Sequence, residues 1–139
     1  MSNHIAFIGV GNMGNPMANQ LVKAGQNVKV FDVSTDVIKI AKQSGLNVIN
    51  SMEELLEGAT TVISMLPEGK HVRSLYLGDN GILKSIPKDC LIIDCSTIDI
   101  ETSLLLGKEA ENRPEEAFQN NSMDSVYFVN HSLTGFSLF

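Results

Sequence analysis

Three glycines within six residues, Gly9, Gly11 and Gly14, follow directly on the apolar run Ile5 to Ile8 and open the stretch "GVGNMGNPMAN". This G-x-G-x-x-G spacing constrains the fold more than any other feature of the chain, because it suits a strand that turns sharply into a helix. Gly9 permits the tight turn, Gly11 lets the backbone approach a pyrophosphate with no side chain in the way, and Gly14 lets the helix pack close to the strand. N–H groups near Asn12 and Met13, at the positive end of that helix, supply an anion site. Pro16 falls in the first turn, where its missing N–H costs nothing. A ligand-free glycine turn would fit these letters taken alone. Asp32 shifts the balance, since it ends the second apolar run about 20 residues beyond the glycines, where a dinucleotide-binding unit carries its ribose-binding acid. The same residue can also cap the helix that follows, and the two roles are compatible.

The rest of the chain, 139 residues in all, alternates short apolar runs with helix-like segments, as βαβ units do. Strands are expected at Ile5 to Ile8, Val28 to Phe31, Val48 to Ile49, Thr61 to Leu66 and Leu91 to Asp94, mostly continuous in hydrophobicity, as parallel strands buried on both faces are. Met13 to Ala24 reads as a helix with Met13, Met17 and Leu21 on one stripe, Ala18 and Val22 alongside, and Gly25 as its stop. Ser34 caps a helix reaching Ser44, and Ser51 with Glu54 forms a capping-box pattern. Asp99 or Thr97 starts another, from about Ile100 to Glu111, with Ile100, Leu104 and Leu105 expected to face inward. The expected fold class is α/β, a Rossmann-type doubly wound parallel sheet.

Composition narrows the partners. At 43% hydrophobic and 19% charged with a net charge of −6, the chain has the make-up of an ordinary globular domain and lacks the basic stripe a nucleic-acid surface needs. No apolar run approaches the length of a membrane helix, and no signal-type segment opens the chain, so a cytoplasmic protein without a membrane or nucleic-acid partner is expected. Cys90 and Cys95 flank one strand candidate on opposite faces, which fits neither a disulfide nor a zinc pair. They read as reduced packing residues, and no metal site is expected.

The cofactor expected is NAD. A carboxylate at Asp32 accepts hydrogen bonds from ribose hydroxyls and repels a 2′-phosphate, and Val33, Ser34 and Thr35 offer no arginine to neutralise one. Two further segments, "SMLPEGKH" from Ser64 to His71 and "DCSTID" from Asp94 to Asp99, leave the fourth and fifth strand candidates at their carboxyl ends, where such sheets bind ligands. Pro67 stiffens the first loop, while Ser96 or Thr97 could offer a hydroxyl to the nicotinamide carboxamide or to substrate. A turn proline and helix-capping hydroxyls are the plainer reading of the same residues.

In this order and spacing, "GVGNMGNPMA", "SMLP" and "DCSTID" resemble the N-terminal domain of the 3-hydroxyisobutyrate dehydrogenase family, the β-hydroxyacid dehydrogenases, over about Ile5 to Asn112. The resemblance implies NAD-dependent oxidation of a 3-hydroxy acid, in valine breakdown for 3-hydroxyisobutyrate itself. It implies that Gly9, Gly11, Asn12, Met13, Gly14 and Asp32 bind the cofactor's phosphates and ribose and that Leu66, Pro67, His71 and Thr97 line the nicotinamide side, while the loop position of Ser96 makes it the candidate to meet substrate. His71 replaces what is often asparagine, and Ile100 stands where the family has a proline.

Residues 1–112 are therefore expected to form a dinucleotide-binding domain, and 113–139 an unmatched, irregular tail with one strand-like run, Val126 to Val129. The family's glycine-rich substrate loop and the helical domain with its catalytic lysine do not appear, and none of the eight lysines sits in a segment resembling that helix, so no catalytic residue is assigned. A frame change or early stop near Arg113 would explain the boundary. An open sixth-strand edge, self-association and inactivity of the chain alone are the expectations that follow, with a small hydroxy acid as partner only in a full-length form. A free-standing nucleotide-binding module and an inactive truncated remnant are the alternatives.

Overall fold

The computed structural model describes residues 3–112 and 127–130. Its strands are β1 (His4–Ile8), β2 (Val28–Phe31), β3 (Asn47–Val48), β4 (Ala59–Ser64), β5 (Leu91–Asp94) and β6 (Tyr127–Asn130). Between them run α1 (Gly14–Lys23), α2 (Thr35–Gln43), α3 (Met52–Leu56), α4 (Gly69–Tyr76) and α5 (Ile100–Glu111), with a short 3-10 turn at Ile82–Lys84. All neighbouring strands are parallel, in the order β3-β2-β1-β4-β5-β6. This is the Rossmann order, and its reversal between β1 and β4 leaves a crevice at the carboxyl ends of the strands.

Two apolar layers explain why the strand sequences are continuously hydrophobic. Phe7, Val30 and Ile63 pack on one face with Ala18 of α1 and Ala41 of α2. Ala6, Ile8, Val62 and Ile92 pack on the other with Leu55 of α3, Val72 and Tyr76 of α4, and Leu106 of α5. The central strands β1 and β4 bury both of their faces, which is what parallel pairing under crossover helices demands. The two cysteines fall in different layers, Cys90 with Ile92 and Cys95 with Phe7, and both are free thiols.

Helix starts follow their caps. Ser34 Oγ accepts from Val37 N–H at 3.4 Å, Ser51 Oγ from Glu54 N–H at 3.4 Å, and Asp99 from Thr102 N–H at 2.9 Å. Neither α1 nor α4 has such a side-chain cap.

Several details depart from the expectations. The fourth strand ends at Ser64, so Leu66 belongs to the loop beyond it, and the third covers Asn47–Val48 rather than Val48 to Ile49. Met13 and Val22 are 44% and 43% exposed; Gly14 and Ala18 make the buried stripe of α1, flanked by half-buried Met17 and Leu21. On α5 the inward residues are Thr102, Ser103, Leu106 and Ala110, while Ile100 and Leu104 are 64% and 57% exposed. The face is turned because Thr102 Oγ1 accepts from Arg73 Nε of α4 at 2.8 Å and donates to Asp99 at 2.7 Å, which takes Thr102 inward. Within the segment set apart as an irregular tail, Tyr127–Asn130 forms β6, and it pairs along the edge of β5 that was expected to be open. The remainder of that tail lies outside the described residues.

Candidate dinucleotide-binding site

Each of the three glycines can be tested by the space around it. Gly9 has φ +92°, a left-handed value that strains other residues, and a Cβ there would collide with the Met65 carbonyl oxygen. At Gly14 a Cβ would strike the carbonyl of Gly9. Gly11 differs: a Cβ there would meet nothing within 4 Å. Packing of the chain itself thus accounts for the first and third glycines and leaves the second for something that approaches from outside.

Behind this turn α1 presents its N-terminus, where the first N–H groups of a helix have no intrahelical acceptor. The earliest bonds run from Asn15 N–H to Gly11 O at 3.0 Å and from Met17 N–H to Met13 O at 3.4 Å. Asp32 faces the turn from the end of β2. One carboxylate oxygen accepts from Val10 N–H at 3.0 Å and the other from Ser34 N–H at 2.9 Å, so the group is fixed in place, with lone pairs left over for a ligand.

A crevice of about 490 Å³ runs between the glycine turn and the loop after β4. It is lined by nine of the ten cofactor positions read from the sequence: Gly9, Gly11, Asn12, Met13, Gly14, Asp32, Leu66, Pro67 and His71. A hollow of about 300 Å³ shares Gly9, Asp32, Leu66 and His71 and extends along α4 to Ser74 and Leu75. Thr97 lines neither and is exposed. Ser96, expected to meet substrate, is fully buried: its Oγ accepts from Leu66 N–H at 2.8 Å and donates to Asp94 at 2.7 Å. Both functions of its hydroxyl are engaged inside the protein, so it holds a loop rather than facing a ligand.

Val33, Val37, Met65, Ser74 and Leu75 join the lining without having been singled out from the sequence. Val33 and Met65 adjoin Asp32 and Leu66 in the sequence, while Val37, Ser74 and Leu75 lie on α2 and α4 and carry no local signal. Also unforeseen is a buried polar chain in which Ser64 Oγ lies 2.7 Å from Tyr76 Oη and donates to Asp94 at 2.7 Å. Burial raises the Tyr76 phenol well above its ordinary range. Burial, and then the charge of Asp94, pushes the Cys95 thiol up to about 11. Asp99 is held below its usual range by hydrogen bonds from the Thr102 hydroxyl and N–H, with a smaller contribution from Arg73. Among the described residues there is no cluster of three or more His, Cys, Asp or Glu that could hold a metal ion, and no helix long and apolar enough to cross a membrane.

Residues 4–119 match the sequence profile of the NAD-binding domain of 6-phosphogluconate dehydrogenase. The chain belongs to that family. Its relatives include the 3-hydroxyisobutyrate dehydrogenase of Pseudomonas aeruginosa, 48% identical over 106 residues, 76% of this chain and 36% of that protein. The NAD-dependent L-serine dehydrogenase of the same organism is 45% identical over 94 residues, 68% of this chain and 32% of that protein. Among solved structures, the 3-hydroxyisobutyrate dehydrogenase of Mycobacterium tuberculosis with L-serine superimposes with a TM-score of 0.75 at 32% identity, covering 94% of this chain and 40% of that one. The chain therefore spans about a third of the length of the curated relatives it matches. As an NAD-binding domain related to the 3-hydroxyisobutyrate dehydrogenases, it has the fold, family and cofactor that the motifs of the sequence imply.

Proposed function

We propose that this NAD-binding domain holds NAD with its pyrophosphate over Gly11 and the N-terminus of α1, its adenosine ribose on Asp32, and its nicotinamide half beside Leu66, Pro67 and His71. The observation that carries this reading is the open space over Gly11, in line with a helix end that lacks a side-chain cap and a carboxylate fixed by Val10 and Ser34. The residues fit the cofactor chemically. Asp32 accepts from ribose hydroxyls and meets a 2′-phosphate as a like charge, which favours NAD over NADP. The N-terminus of α1 offers N–H donors and a positive dipole end to the pyrophosphate.

The reaction supported best is oxidation of a 3-hydroxy acid. Bound NAD would supply a nicotinamide ring able to take hydride from the carbon that carries the substrate hydroxyl. 3-Hydroxyisobutyrate and L-serine, named for two of the relatives, both carry that hydroxyl on the carbon β to the carboxylate. We assign this domain the binding and orientation of the cofactor, as the nucleotide half of such an enzyme; for 3-hydroxyisobutyrate the setting is valine breakdown. Taking the hydroxyl proton and holding the substrate carboxylate are assigned to no described residue of this chain.

Calorimetric titration with NADH tests the reading. Saturable one-to-one binding, with NADPH at least tenfold weaker, is expected. A flat titration of a protein that melts cooperatively would overturn it. Turnover of 3-hydroxyisobutyrate or L-serine with NAD would separate a complete enzyme from a nucleotide-binding module.

A further inference from the structure

We propose that Asp94 is a positioning residue which, acting through Ser96, holds Leu66 over the Gly9 turn and so sets the wall of the dinucleotide crevice. Asp94 and Ser64 are the last residues of β5 and β4 and lie opposite each other in the parallel register. Asp94 is 1% exposed, and Ser64 and Ser96 are fully buried. One carboxylate oxygen of Asp94 accepts from Ser64 Oγ at 2.7 Å, from Ser96 Oγ at 2.7 Å and from Ser96 N–H at 3.3 Å.

The direction of every bond then follows from proton counting. A hydroxyl has one proton. Ser96 gives its own to Asp94, so its oxygen can only accept along the next contact, and the donor there is the backbone N–H of Leu66 at 2.8 Å. Ser64 likewise gives its proton to Asp94 and accepts from Tyr76 Oη at 2.7 Å. Tyr76 is the last residue of α4, the helix that the Leu66 loop leads into. The loop is thus tied at Leu66 by one arm of the network and through its following helix by the other.

Leu66 in turn covers the glycine turn. A Cβ built on Gly9 would lie 3.0 Å from Leu66 Cδ2, so Leu66 stands close enough to the turn to leave no room for a side chain there. Neither Asp94 nor Ser96 lines the crevice, which makes any effect they have on the cofactor indirect.

This inference rests on the cofactor reading, and two measurements on the full chain keep the two apart: NADH titration and amide exchange at Leu66. Ser96→Ala should bind NADH about tenfold more weakly while still melting cooperatively. It should also speed exchange of the Leu66 amide, and Ser96→Thr, which keeps the hydroxyl, should restore both. Asp94→Asn should act in the same direction and serves if Ser96→Ala fails to fold. NADH binding by Ser96→Ala within twofold of the unaltered chain, with Leu66 exchange unchanged, would overturn the proposal. If the unaltered chain binds no NADH the cofactor reading falls, and unchanged Leu66 exchange in Ser96→Ala would then sink the anchoring role as well.

Discussion

At the level of single residues, the glycine turn separates what the fold needs from what a ligand needs. Gly14→Ala puts a methyl group onto the Gly9 carbonyl, so it should cost stability on the overpacking scale, about 1–3 kcal/mol, read as a lower urea midpoint. Gly11→Ala points into open space and should leave stability within about 0.5 kcal/mol while weakening NADH binding. A Gly11→Ala variant that binds NADH normally would mean the cofactor does not pass over that position. Asp32→Asn keeps an acceptor but loses the charge, and its amide oxygen can serve only one side of the Val10 and Ser34 pair. NADH affinity should fall about tenfold, and the preference over NADPH should narrow, both read by titration. The pattern G-x-G-x-x-G with Asp32 is legible in the sequence because its spacing is common to turns of this kind, even though Gly9 answers to the Met65 carbonyl and Asp32 to Val10 N–H, both distant in the chain. Ser96 is legible only as a hydroxyl near the site. Its burial depends on β4 and β5 ending side by side, and the local sequence carries no record of that register.

Secondary-structure elements reveal their ends more readily than their faces. The caps at Ser34, Ser51 and Asp99 reach only three residues along the chain, so the helix starts they define can be read directly. The inward face of α5 cannot, since Ile100, Leu104 and Leu106 carry similar hydrophobic weight in the sequence. Thr102 decides the matter by joining Arg73 on α4 to the Asp99 cap. That cap also carries a pH signature. The Asp99 carboxyl is lowered from its ordinary 3.8 by the hydroxyl and N–H of Thr102, with Arg73 adding a weaker pull. A lowered folded-state value means stability that is present above the ordinary Asp range and is lost as pH falls through the lower folded value. Asp99→Ala should therefore melt below the unaltered chain at pH 7, and the gap should close as pH drops below about 3.8. Melts recorded across that range check this, and a gap that persists into strong acid would assign the cap to something other than the charge.

For the whole molecule, the doubly wound sheet gives each face its own apolar layer and then joins the two at the crevice. The alternation of strands and helices predicts the architecture, and the observed order of the strands is that of the Rossmann fold which the glycine turn implies. Beyond residue 112 the sequence offers only the run Val126 to Val129, and nothing local there says that Tyr127–Asn130 pairs with β5, a partner more than 30 residues away. The two cysteines report on the layers separately, Cys90 from the side of α3, α4 and α5 and Cys95 from the side of α1 and α2. Both are buried, and a thiol pushed up to about 11 leaves little thiolate at Cys95 near pH 8. A thiol reagent at that pH should find neither group in the native protein. In rising urea, Cys90→Ala and Cys95→Ala should each expose their one remaining thiol at that variant's own global unfolding midpoint, because the central strands β1 and β4 carry residues of both layers. A hundredfold excess of NADH over its dissociation constant should delay both exposures equally, by about 2.7 kcal/mol. The crevice draws its glycine turn from the layer of α1 and its Leu66 wall from the loop before α4, so a ligand there clamps the two layers together. A thiol exposed ahead of its variant's global unfolding, or protection of one thiol alone, would mean that the layers open independently and that the cofactor braces only one of them.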